Sequence, residues 1–159
     1  MNVIDYIYSM FRTVEQYPPM LKMLEISLSQ FGVQEWSGKK HNPEVMKYFE
    51  ECGFSTIKDD ETSWCSAAMC WCAMKAGMSH TNNLTARSWL NWGSEVIEPR
   101  LGDIVVYWRG DINGWQGHVG QFIRRDGDSI FTLGGNQSNE FNITDYSAHQ
   151  LLGFRRYGN

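Results

Sequence analysis

The segment Asp126-Gly127-Asp128 joins two strand-like runs, His118–Arg125 and Ser129–Leu133. An acidic–glycine turn between such runs is a strong hairpin signal, and it commits the second half of the chain to an antiparallel sheet. Asp103-Ile104-Val105-Val106-Tyr107-Trp108 supplies a strand before the hairpin, and Leu151–Tyr157 a last one after it. The first half has a different period. Leu21, Leu24, Leu28 and Phe31 form a helical stripe from Met20 to Phe31, with Gly32 as its stop. Asn42-Pro43-Glu44 opens a second helix, with Asn42 as cap and Pro43 at the first position. Val45, Tyr48, Phe49 and Cys52 are its buried side, and Gly53 ends it. Thr62 or Ser63 caps a third helix reaching about Lys75, on which Cys65, Met69, Cys72 and Ala76 share one face. A short fourth helix is expected over Thr85–Trp92, closed by Gly93. Helices followed by a meander predict the α+β class, with N-terminal helices packed on an antiparallel β-sheet.

The 159 residues favour one domain with one core. Residues 1–19, with Ile4, Ile7, Tyr8 and Phe11 at helical spacing before Tyr17-Pro18-Pro19, read as an N-terminal arm or short helix; residues 20–159 read as the domain. The net charge is -4 with no basic block, which argues against nucleic acid as a partner. No run is long enough for a membrane span, and Met1-Asn2-Val3-Ile4-Asp5 lacks the basic start and apolar stretch of a signal peptide. Synthesis in the cytoplasm is therefore expected, with export or release needed for any action outside. Cys52, Cys70 and Cys72 are expected to be reduced, buried thiols. A zinc site is not favoured: the spacing is not C-x-x-C, and Cys70 lies about 140° around the helix from Cys65. No cofactor and no metal are predicted. Asp59-Asp60-Glu61 lacks the alternating ligands of a calcium loop and is read as a solvated acidic loop before a helix N-terminus.

The residues with reaction chemistry are few. Cys65 falls at the first turn of the third helix, where unpaired N–H groups and the helix dipole favour a thiolate. Of the four His, only His118 lies between strand residues and two glycines, with room for a second side chain. A third group normally fixes the imidazole tautomer. A three-residue hairpin loop would set Arg125 opposite Ser129 and His118 opposite Asn136; a two-residue loop would turn Asn136 to the other face. The reading of Asn136 therefore carries a parity condition. Trp64, Trp108 and Trp115 neighbour these segments and are candidate groove walls, with Glu61 as a candidate polar contact and Arg109, Lys39 and Lys40 as sources of positive charge. Trp71 and Trp89 are read as core. The segment Arg109–Gln116 is read as a flexible flank of the cleft.

Four blocks, Trp64-Cys65-Ser66-Ala67, Arg100-Leu101-Gly102-Asp103-Ile104-Val105, Gly117-His118-Val119-Gly120 and Leu133-Gly134-Gly135-Asn136-Gln137, resemble in order those of CHAP-type and NlpC-type cell-wall hydrolases, a phage lysin-like group above all. The resemblance spans roughly residues 20–157. It implies a papain-like fold and hydrolysis of an amide bond in peptidoglycan, in the stem peptide or a cross-link, by an endopeptidase or amidase. It assigns Cys65 as nucleophile, His118 as general base and acid, and Asn136 as the orienting residue of a bacteriolytic cysteine peptidase. Many CHAP domains carry Glu where Gly134 stands, so either the site works as Cys-His-Asn or an acid such as Glu61 or Asp60 takes part. The resemblance further implies action on the periplasmic or external wall, with residues 1–19 open to contact with a phage tail or secretion machinery. The rival reading is a non-catalytic wall-binding phage tail component on the same fold.

Overall fold

A computed structural model describes residues 18–158. The arm read at residues 1–19 lies, up to Tyr17, outside the described residues. Among the described residues three helices come first: α1 (Pro18–Ser29), α2 (Pro43–Glu51) and α3 (Cys65–Lys75). A 3-10 turn (Ala86–Asn91) leads into strands β1 (Ser94–Val96), β2 (Ile104–Trp108), β3 (Gly117–Asp126), β4 (Ser129–Gln137), β5 (Glu140–Ser147) and β6 (Leu151–Arg156). The strands form one antiparallel sheet in the order β1-β6-β2-β3-β4-β5. The class is α+β, as expected. Among the described residues no helix is long and apolar enough to cross a membrane.

The helices differ from expectation where burial is decided by neighbours. α1 starts with two prolines, which suit a first turn whose N–H groups have no helical partner. Its buried side is Met20, Met23, Leu24 and Ser27, while Leu28 and Phe31 of the expected stripe are exposed. The selected face is the one that reaches α3 and lets Ser27 Oγ donate to buried Gln121 Oε1 at 2.5 Å. α2 forms as predicted: Asn42 accepts from Glu44 N at 2.9 Å, and Val45, Tyr48 and Phe49 are buried. α3 has no single buried face. Every residue from Cys65 to Ala73 is buried, because α1 and α2 cover one side and β3 and β4 the other. Nor does Thr62 or Ser63 cap it. Trp64 is the cap residue without a side-chain bond, and Thr62 donates instead to Asp59 Oδ1.

The hairpin turn is two residues long, since Asp126 pairs with Ser129, so the three-residue loop is not formed. The register recovers at a bulge between Phe122 and Arg124, beyond which Gln121 pairs with Leu133. That is the register the three-residue loop would have given. Strand β5 was not anticipated, because its apolar Ile143 is exposed while Asn142 and Thr144 lie half-buried. A second bulge, between Gly134 and Gln137 opposite β5, contains Asn136 in the left-handed region (φ 58°).

The contact that seats α3 on the sheet is Trp64 against Gly135. Trp64 is fully buried, stacked on Tyr48 at 5.8 Å, with its Nε1 donating to Glu35 Oε2 at 3.1 Å. A Cβ on Gly135 would lie 2.4 Å from the indole and 2.9 Å from Ala68 Cβ, so only glycine lets the strand come this close. Gly135→Ala is expected to cost about 1–3 kcal/mol as an overpacked core. The measurement is thermal unfolding; an unchanged Tm would mean that the indole yields freely.

Candidate active site

Cys65 is the first residue of α3, held there by the packing of Trp64 behind it. Its sulfur lies 3.9 Å from Ser63 Oγ and beside the backbone N–H groups of Val119 and Ser66. The side chain is only 3 % exposed, yet it lines a cavity of about 240 Å³. Burial pushes the thiol pKa up, against the opposing pull of the Ser63 hydrogen bond, the Val119 N–H and the Arg109 charge. The resting sulfur is therefore a neutral thiol.

His118 sits opposite Tyr107 in the β2–β3 pair and is completely buried. Its ring stacks on Tyr146 at 4.9 Å and more distantly on Tyr107 at 6.5 Å. Nε2 is 2.9 Å from Gln137 Oε1. The Gln137 amide cannot be the other way round: its Nε2 faces Thr132 O at 3.1 Å, Asn142 O at 2.7 Å and Asn142 Oδ1 at 3.0 Å. All three are acceptors, so the NH2 belongs there and the oxygen faces the imidazole. Asn142 is fixed in turn, donating to Gln137 O at 3.1 Å and Glu140 Oε2 at 3.2 Å. His118 must therefore donate from Nε2, which leaves Nδ1 as the basic lone pair. That Nδ1 is buried and among the described residues has no hydrogen-bond partner. Burial first, then the Arg109 charge, lowers the His118 pKa to about 3, while the Gln137 bond acts the other way.

Cys65 and His118 are brought into one neighbourhood. The residue after His118 presents its N–H to the sulfur, Arg109 acts on both groups, and Tyr146 stacks on the ring. No hydrogen bond joins the sulfur to Nδ1. Asn136 does not meet the imidazole. Its left-handed backbone and the bulge turn its Nδ2 toward Ser63 Oγ at 3.4 Å, and it is Gln137 that contacts the ring. Sequence reasoning missed Gln137 because a strict two-residue alternation puts it on the far face; the Gly134-Gly135-Asn136 run was the available sign of a bulge.

The other candidates separate. Trp64 is core, not groove. Trp108 is half-buried, donates to His149 O at 3.2 Å and does not line the cavity. Trp115 is 73 % exposed and does line it. Glu61 is exposed and is not part of the cavity wall. The acidic loop is not simply solvated: Asp60 is fully buried and accepts from Trp36 N, Asn42 N and His41 Nδ1 at 2.8, 2.8 and 2.9 Å. Burial acts to raise its carboxyl, and these bonds outweigh that and hold it below the ordinary value. The Arg109–Gln116 flank is pinned by Arg87, which donates to Gln116 O, Ile112 O and Asp111 O at 2.7, 2.8 and 2.8 Å. Cys52, Cys70 and Cys72 are free and buried.

A neutral buried imidazole makes folding pH-dependent. The unfolded chain binds a proton on His118 near 6.5 and the native state only near 3, so acidification favours unfolding. The contribution is complete above about pH 6.5 and lost at roughly 1.4 kcal/mol per pH unit below it. Urea unfolding at pH 7 and pH 5 should show a steeper loss for the native protein than for His118→Gln. Equal losses would place a charged imidazole in the fold.

The CHAP domain family model matches residues 57–136, half of the chain. Among solved structures, a protein described as similar to a lipoprotein of the NLP/P60 family, from Staphylococcus aureus subsp. aureus Mu50, superposes with a TM-score of 0.54 at 17 % identity, over 89 % of this chain and 42 % of that one. Ly7917 matches with a TM-score of 0.41 at 17 % identity, over 85 % of this chain and 61 % of that one. The chain thus spans less than two thirds of either protein. The first likeness shows the fold, an α+β papain-like arrangement. No curated protein matches.

Proposed function

This chain belongs to the CHAP domain family, and on that premise we propose that it hydrolyses an amide bond of peptidoglycan, with Cys65 as nucleophile, His118 as base and acid, and Gln137 as the positioning residue. The observation that carries the reading is the His118 ring. Its Nε2 proton is committed to Gln137 Oε1, which leaves the buried Nδ1 as the basic nitrogen, on the residue next to Val119 whose N–H faces the Cys65 sulfur.

In this mechanism Nδ1 takes the thiol proton as the sulfur attacks the amide carbonyl. The backbone N–H groups of Val119 and Ser66 hold the developing thiolate. The first-turn N–H of α3 has no helical acceptor and is available to the oxyanion. The imidazolium then returns the proton to the leaving amine, and the C–N bond breaks to give a thioester on Cys65. Water, deprotonated by Nδ1, attacks the thioester; the acid half leaves and the thiol is restored. Both groups start neutral because burial opposes either charge alone. Formation of the ion pair is thus coupled to substrate filling the cavity beside it. Trp115 offers the exposed apolar wall for the stem peptide.

Cys65→Ala is expected to reduce solubilisation of purified sacculi by at least about a thousandfold with little change in Tm. Gln137→Ala is expected to lose about a hundredfold and Asn136→Ala less. Mass spectrometry of the released fragments identifies the bond cut. Lysis by Cys65→Ala at the native rate would remove the enzyme reading and leave a wall-binding module.

A further inference from the structure

The cavity beside Cys65 has one charged side chain among the described residues that line it, Arg109. Lys39 and Lys40, the other candidate cations, are exposed in a bend after Trp36 and take no part in its wall. Arg109 is exposed, and among the described residues no carboxylate pairs with it. Burial raises the Tyr146 phenol, the Arg109 charge opposes this, and the net pKa is about 12. A guanidinium offers five N–H donors, and a phenol and one cleft wall leave most of them unused.

The backbone that carries this cation is held. Arg109 N donates to Gln116 O at 3.2 Å, and Asp111 N to Arg109 O at 2.8 Å. Gly114 N donates to Asp111 O at 2.9 Å and Asn113 N to Asp111 Oδ1 at 2.9 Å. Arg87 clamps the same loop from beneath through three carbonyls. Packing at the loop's end is tight as well: a Cβ on Gly117 would lie 2.6 Å from Tyr107 O and 3.2 Å from Arg87 Cγ. The loop backbone that carries Arg109 and Trp115 is therefore held, and both residues line the cavity that Cys65 also lines. A guanidinium without a carboxylate partner among the described residues, in a cavity wall that also includes an indole, suits a planar anion carried on a short carbon chain.

We propose that Arg109 forms a carboxylate-recognition subsite, so that the preferred substrate carries a free carboxylate on the residue flanking the amide attacked by Cys65. This rests on the reading of Cys65 as the reacting group and narrows its substrate class: stem-peptide bonds next to a free carboxylate are favoured over the same bonds in amidated form. Arg87 is a positioning residue for the subsite.

The test compares two alkylating probes of equal size. Iodoacetate carries a carboxylate and iodoacetamide does not. Each adds its CH2 carbon to the sulfur with loss of iodide and the thiol proton. The rate constants for modification of Cys65, located by peptide mass spectrometry, are measured for the native protein and for Arg109→Gln and Arg109→Lys. The ratio of iodoacetate to iodoacetamide rates cancels any general change in thiol reactivity. It is expected to fall about tenfold in Arg109→Gln and less in Arg109→Lys. An unchanged ratio overturns the subsite. Should neither probe reach Cys65, the indole N–H signal of Trp115 is followed by NMR on titration with N-acetylglutamate. A saturable shift in the native protein that Arg109→Gln loses supports the subsite, and its absence in the native protein overturns it. Both readouts are independent of wall lysis: a protein inert on sacculi with the ratio intact would fail as a hydrolase and keep its carboxylate site.

Discussion

The site depends on the orientation of one amide. Gln137 spends its two N–H protons on carbonyl oxygens from Thr132 and Asn142, so only its oxygen is free to face His118. Turning the amide would bury an NH2 against the imidazole and set an oxygen among other oxygens, at a cost of about 1–3 kcal/mol for each unsatisfied group. The tautomer of His118 follows from that constraint, and with it the direction in which a proton can move. The chain from Glu140 through Asn142 and Gln137 to the ring is a relay of fixed dipoles, and among the described residues no carboxylate bonds the imidazole. It sets geometry without adding a charge to a ring that burial already keeps neutral.

The fold supplies two close approaches for this arrangement. Gly135 lets the Trp64 indole lie on β4, which seats the first turn of α3 and so the sulfur. Gly117 lets β3 begin under Tyr107 O and Arg87, which fixes where the strand bearing His118 starts. Cys65 and His118 thus reach one neighbourhood from elements whose spacing is set by missing side chains. The Arg87 clamp does the same for the cavity wall, so that the loop carrying Arg109 and Trp115 is as positioned as the strands.

Much of this was legible in the sequence. The class, the second helix with its Asn42 cap, the central strands and the candidacy of Cys65 and His118 follow from periodicity and from the rarity of reactive residues. What was not legible depends on long-range packing. The buried face of α1 is chosen by α3 and Gln121, not by its most apolar stripe. Trp64 looks like a groove residue by position, but a fully buried seat against Gly135 cannot be read from neighbours in sequence. Counting along a regular hairpin sets Asn136 opposite His118, and two bulges intervene: one at Ile123 restores the register, and one at Asn136 itself leaves the next residue, Gln137, in contact with the ring. Bulges insert a residue without a strong local signature, so strand alternation is least reliable where an active site needs a side chain turned.

The central claim is that Gln137 and His118 act as one unit on the Cys65 sulfur. A double-mutant cycle on the iodoacetamide reaction of that thiol at pH 7 measures it without any wall substrate. The account predicts that Gln137→Ala and His118→Ala each slow modification about tenfold or more, and that the double variant is no slower than His118→Ala alone. Native reactivity in both single variants, or losses that add in the double, would contradict it.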